Sequence, residues 1–330
     1  VSAWTGSRIA WLSAFLAFGA VCTIGAVAGE SASVEVLQVR PDVYVLAVDG
    51  VNVTMQTGPD GTILVDSGPA SGAAALLAAI QGISRQPIYY IVDTSADADL
   101  IGGAAQLAPA GQSLISLSQP HVATVVAREA LVEKLLLQPA GHRDSMLPNE
   151  TFTRPQYNFY LNGQGVAVMW QPAAHSDVDL AVRFWGSDVV AAGAIFDMTR
   201  FPVIDVDHGG SVQGEIDSLN RLINTLVISP IPVVTNTGGT LVIPIRGPVS
   251  DQADLVTYRD MVADVRDRVA HLIAQHRTLA QIEASDPTQG YDARFGSSTG
   301  SWTTTQFVEA VYHSLLAAKK TNRHIEAEGQ

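Results

Sequence analysis

The stretch VYVLAVDGVNVTMQTGPDGTILVDSGPASGAAALLAAI, residues 43–80, carries the fold in its alternation and its breaks. β-Branched runs cover Val43 to Val48, Val51 to Gln56 and Thr62 to Val65. Asp49-Gly50 and Gly58-Pro59-Asp60-Gly61 separate them, residue types that set tight-turn geometry. Another run, Val34 to Val39, precedes the break Arg40-Pro41-Asp42. Short strands joined this closely predict a β-meander. The Ala- and Leu-rich segment from Ser71 to about Ile80 then reads as a helix, and Pro87 to Val92 as a buried strand. Strand, helix and strand in succession predict an α/β layer.

Further along the chain the order repeats. Strand-like runs recur from near Tyr157, at Gly165 to Trp170, Leu180 to Trp185 and Asp188 to Ala192; a helix follows over Val212 to Ile223 and a strand over Leu241 to Ile245. Two halves that each run strands then helix predict a sandwich of two mixed sheets with outer helices. From Asp251 onward, Met261, Val262, Val265, Val269, Leu272 and Ile273 recur at helical spacing. Thr278 with Gln281 makes a capping-box signature, and Thr303 to Ala317 predicts a last helix with Phe307, Val308, Val311, Leu315 and Leu316 inward. These helices read as extra packing around the core.

With 330 residues the chain can bury a full core, and 47% hydrophobic against 15% charged residues excludes a disordered one. Thirty-two acidic residues against 19 basic ones give a formal net charge of -13, with no Lys/Arg cluster to reverse it locally. Nucleic acid is thereby excluded as an expected partner, because phosphate binding needs concentrated positive charge. Residues 9–29, uncharged, preceded by Arg8 and ending Ala26-Val27-Ala28, read as a secretory signal peptide over 1–28. The alternative is a membrane anchor over 9–29, since about 20 apolar residues span a bilayer. The expected location is therefore periplasmic or extracellular, with membrane association only if that segment is retained. Cys22, the single cysteine, lies inside it, which leaves no thiol for disulfides or metal binding after cleavage. Asn52 and Asn149 stand in Asn-x-Thr sequons that would matter only in a eukaryotic secretory pathway.

Four blocks in order, residues 43–80, then PIYYIVDTSADADLIGG (87–103), PAAHSDVDLAVRFWGSDVVAAGAIFD (172–197) and LVIPIRGPVSD (241–251), resemble the metallo-β-lactamase superfamily. The resemblance implies an α/β fold, an αββα sandwich over residues 34–250, with 251–330 as a C-terminal helical extension packed on it. The family's chemistry uses two metal ions, usually zinc, that activate a hydroxide for attack on an ester or amide. Such a centre needs several neutral or anionic ligands converging at about 2 Å.

The family's Thr-His-x-His-x-Asp-His turn corresponds to Thr94-Ser95-Ala96-Asp97-Ala98-Asp99-Leu100. Its histidine positions thus hold Ser95, Asp97 and Leu100, while the aspartate is kept as Asp99. His175 keeps the next ligand; the bridging aspartate falls on Ala194 and the last histidine on Arg246. Asp97, Asp99 and His175 are the residues left to hold metal, one weakly bound zinc at most, and no other cofactor is implied. A guanidinium among the ligands opposes a divalent ion, and Arg246 is instead expected to pair with Asp99. Asp66 and Asp179 read as structural support. Ser95 becomes a nucleophile candidate only with a base in reach, and the segment from Asp205 to Gly210 reads as a loop entering a helix. The expectation is a pseudoenzyme of the cell envelope that binds a small ligand in the old cleft or a partner subunit. The alternative is a hydrolase acting with one metal or none on a lactone, ester or lactam.

Overall fold

The computed structural model describes residues 33–115, 121–137, 147–226 and 239–328. The N-terminal segment read as signal or anchor lies outside them. Among the described residues no helix is long and apolar enough to cross a membrane.

The first sheet holds β1 (Val34–Arg40), β2 (Val43–Val48), β3 (Val51–Thr57), β4 (Thr62–Val65), β5 (Ile88–Val92), β6 (Thr124–Arg128) and β7 (Glu150–Phe152), ordered as in the chain. Its first four strands pair antiparallel, which is the predicted meander, and β4 through β7 run parallel. The second sheet orders β12 (Leu241–Ile243), β11 (Val189–Ala191), β10 (Leu180–Phe184), β9 (Gln164–Trp170) and β8 (Gln156–Leu161). The helices are α1 (Ala73–Ile83), α2 (Ala98–Ile101), α3 (Ala104–Leu107), α4 (Glu129–Leu136), α5 (Val212–Arg221), α6 (Gln252–Ala274), α7 (Leu279–Glu283), α8 (Asp292–Phe295) and α9 (Thr304–Glu328).

Period-two burial explains the layering. In β2, Val43 and Val45 face the second sheet and join Val166, Val168, Leu180 and Val182 between the two sheets. Their neighbours Leu46 and Val48 face the other way and pack with Leu76 and Ile80 of α1. Strands buried on both faces need a cover on each, so α1 caps the first sheet as α5, α6 and α9 cap the second. Two mixed sheets, helices outside both, and a helical C-terminal extension make the αββα sandwich.

The predicted strands Val43–Val48 and Thr62–Val65 have the observed limits; the helix predicted from Ser71 starts two residues later and runs to Ile83 after a short 3-10 turn. Thr278 and Gln281 form the expected capping box. Of the residues placed inward on the last helix, Phe307, Val308 and Val311 are buried, whereas Leu316 opens onto a cleft. Neither sequon is an available side chain: Asn52 Nδ2 donates to Pro244 O and Gly247 O, and Asn149 bonds the backbone of Ala123 and Val125.

Candidate functional site

At one end of the sandwich, four loops meet: the one leaving β5, the turn between β9 and β10, the segment after β11, and the turn after β12. Two of them are fixed across the sheets. Leu180 N donates to Thr94 O, tying the β5 loop to β10, and Asn52 of β3 grips the turn after β12 with its side chain and with its N–H to Ile245 O. That turn also needs Gly247, whose φ of 92° is left-handed and whose added Cβ would sit 2.8 Å from Met198 Cβ. The grip carries Arg246 into the space where the resemblance puts the second metal.

There the Arg246 guanidinium donates through Nη2 to Asp99 Oδ2, the pairing anticipated from sequence, and its Nε lies 4.0 Å from Asp197 Oδ2. Asp197 is nearly inaccessible. It accepts from Thr199 N and Oγ1 through Oδ1 and from Arg200 Nε through Oδ2 at 2.9 Å. A carboxylate does stand near the metal centre on this segment, three residues after Ala194, but it serves arginines. Leu100, at a histidine position, joins Val51, Ile101, Val178 and Ile245 in an apolar cluster. The cavity left among Asp97, Leu100, His175, Asp197, Arg200 and Arg246 measures about 10 Å³, no more than one water requires.

His175 is equally committed. Its Nδ1 lies 2.9 Å from Val203 O and its Nε2 3.3 Å from Asp97 Oδ2. Both partners only accept, so both ring nitrogens must donate and the ring is an imidazolium. Burial alone would lower its pKa; the Asp97 hydrogen bond, the charges of Asp179 and Asp97 and the Val203 carbonyl override it and bring it to about 10. Burial would likewise raise Asp97, yet the His175 bond and the charges of His175, Arg246 and Arg200 hold it below the usual carboxylate range. A metal at His175 would have to displace a proton and break an ion pair. Among the described residues no group of three or more His, Cys, Asp or Glu side chains could hold a metal ion. These residues do not fit a dinuclear zinc centre.

Ser95 is buried and accepts from Asp97 N through Oγ, so its hydroxyl caps its own loop and meets no imidazole among the described residues. Asp66 occupies a left-handed backbone position, φ 63°, and accepts from Thr94 N and Oγ1. Burial nevertheless raises its carboxyl to about 7. Asp179 accepts from Ser176 N and Oγ, and burial raises it too, against the charge of His175. His208 Nδ1 pairs with Asp205 Oδ2 at 2.6 Å, and the segment enters α5 through the Ser211 cap as a loop should.

Sequence reasoning missed three acids here: Asp93, Asp197 and Glu215. Asp93 and Glu215 are fully buried, and neither carboxylate of either has a hydrogen-bond partner among the described residues. Burial pushes both well above the usual carboxylate range, assisted by Asp66 for Asp93 and by Asp179 for Glu215, which favours the protonated form. For Asp197 the signal was the i,i+3 Arg200; a lone acid in an apolar helix face was the only signal for Glu215.

A second space adjoins this closed centre. A cleft of about 660 Å³ lies between the 203–207 segment and α9, with Asp97 and His175 also lining it. In the family-model and curated-protein comparisons, nothing matches the chain. Solved structures do. The stereoselective inverting sec-alkylsulfatase Pisa1 from Pseudomonas sp. superposes with a TM-score of 0.62 at 16% identity, over 84% of this chain and 50% of that one. A double mutant of that enzyme gives 0.63 and 16% over 86% and 50%. A metallo-β-lactamase from Pontibacter korlensis gives 0.54 and 18% over 70% of this chain and 100% of that one. The fold is metallo-β-lactamase-like. The chain spans about half the length of the alkylsulfatases it matches, and at these identities the likeness is one of fold alone.

Proposed function

We propose that this is an exported, envelope-associated member of the metallo-β-lactamase fold that has given up the dinuclear zinc reaction and acts by binding. The observation that carries the proposal is the occupation of the second metal position by the Arg246 guanidinium, paired with Asp99 and leaning on Asp197. A fixed monovalent cation there neutralises the inherited carboxylates but polarises no water as a metal would. The protonated His175 removes the remaining imidazole from use at the first position.

Metal analysis after zinc loading and gel filtration tests this. The expected result is substoichiometric zinc and no zinc-dependent hydrolysis. One or two tightly held ions per chain, with ester, lactone or lactam turnover that a chelator abolishes, would overturn it. The companion variant replaces Ser95, Asp97, Leu100 and Arg246 by His and Ala194 by Asp; it is expected to gain zinc.

The hydrolase reading keeps one supporting observation, the opening of the large cleft onto Asp97 and His175. It requires lactone, ester or lactam turnover, chelator-sensitive with one metal or chelator-resistant with none, that Asp97→Asn or His175→Gln abolishes.

A further inference from the structure

The cleft beside the closed centre has a chemistry of its own, and we propose that it binds a small organic cation, an alkyl- or arylalkylammonium. This rests on the binding reading above and names the ligand class.

Size comes first. About 660 Å³ lies within the range of small-molecule sites and is far from the 10 Å³ left at the metal centre. Next is the sign of the charge. Asp97, Asp205, Asp207 and Glu309 line the space, against the permanent cation Lys320 and the imidazolium of His175. Asp97 is already matched by His175, Asp205 faces His208, and Glu309 lies 3.7 Å from His313. Asp207 is exposed and has no partner among the described residues. An anionic ligand would meet four lining carboxylates against one lining lysine. A cation would meet attraction, in a chain whose formal net charge is already -13.

The remaining wall fits the rest of such a molecule. Val206, Ala310 and Leu316 supply apolar contact, which accounts for Leu316 being turned away from the core. Trp302 lines the same space, and an indole is the aromatic ring that attracts an ammonium group most strongly. The C-terminal helix read from sequence as extra packing is therefore one wall of the site.

Calorimetry and thermal shift on the full chain in excess chelator test the proposal with matched probes: phenethylamine, neutral 2-phenylethanol and anionic phenylacetate, with choline as a second cation. At least one cation is expected to saturate the protein about tenfold more tightly than the alcohol, with phenylacetate weakest. Asp207→Asn and Glu309→Gln, both at exposed positions, are each expected to weaken the cation about threefold while leaving the melting temperature of the free protein unchanged. Equal affinity for the alcohol or the acid, no saturation by either cation up to about 10 mM, or unchanged affinity in both variants overturns it. Because chelator is present throughout, zinc uptake in the separate metal assay would sink the non-catalytic reading without deciding this titration.

Discussion

Two neighbouring spaces share Asp97 and His175 but have opposite character. One, at the position where the resemblance places the metals, is closed to about 10 Å³ by arginines and Leu100; the other is an open cleft of about 660 Å³ beside α9. Carboxylates gathered where no metal is held have to be paired or discharged, because unpaired buried ions cost several kcal/mol. Both remedies are present. Arg246 and Arg200 serve Asp99 and Asp197, whereas Asp66, Asp93 and Glu215 are brought toward or into the neutral form by burial.

The contrast is broken most directly at Arg246. Arg246→Ala should empty the centre and leave Asp99 and Asp197 with less compensation. A loss of roughly 1–3 kcal/mol is expected in denaturant melts, chiefly because the nearly inaccessible Asp197 loses a mostly buried guanidinium beside it. Affinity of the cleft for a cation should hardly move. A loss below about 0.5 kcal/mol would mean that the guanidinium is not what balances the centre.

The next effect is one of pH. His175 has a folded pKa of about 10 against an ordinary 6.5, so its contribution is whole below 6.5 and drains away as the pH climbs through 10. Asp66, raised from 3.8 to about 7, acts in the same direction: the fold favours its protonated form and loses that advantage as the pH rises through 7. The melting temperature should therefore fall steadily from pH 5 to about 9.5, and His175→Gln should flatten the upper half of that fall. A melting temperature that climbs with pH would contradict the imidazolium. The smallest effect belongs to Asp99→Asn. Asp99 is half exposed, so its bond to Arg246 is worth about 1 kcal/mol or less, and a double-mutant cycle with Arg246→Ala would measure it.

What could be read from sequence divides along the same physical line. Strands such as Val43–Val48 and Thr62–Val65 sit between explicit turns and in the meander, so pattern and punctuation agreed. Thr124–Arg128, Glu129–Leu136 and Glu150–Phe152 went unread; β6 is buried along its whole length, which erases alternation, and β7 is only three residues long. At the centre, the Asp99–Arg246 pair was legible because a cation in a ligand position needs an anion. Asp93 was not, since a buried acid looks in sequence like any surface one, and Glu215 left only its place on an apolar helix face. The role of Leu316 was misread because helical spacing reports which residues face inward and says nothing of gaps between helices.

Asn52 gives the closed centre a mechanical property. It projects from the first sheet and holds by three hydrogen bonds the very turn that presents Arg246 from the second. Moving the backbone that carries the guanidinium therefore means breaking bonds that join the two sheets at that end. The turn is riveted across the sandwich through its carbonyls, and the amide protons that close it, Asn52 N–H on Ile245 O and Ile245 N–H on Phe196 O, should exchange with solvent on the timescale of global unfolding rather than of loop motion.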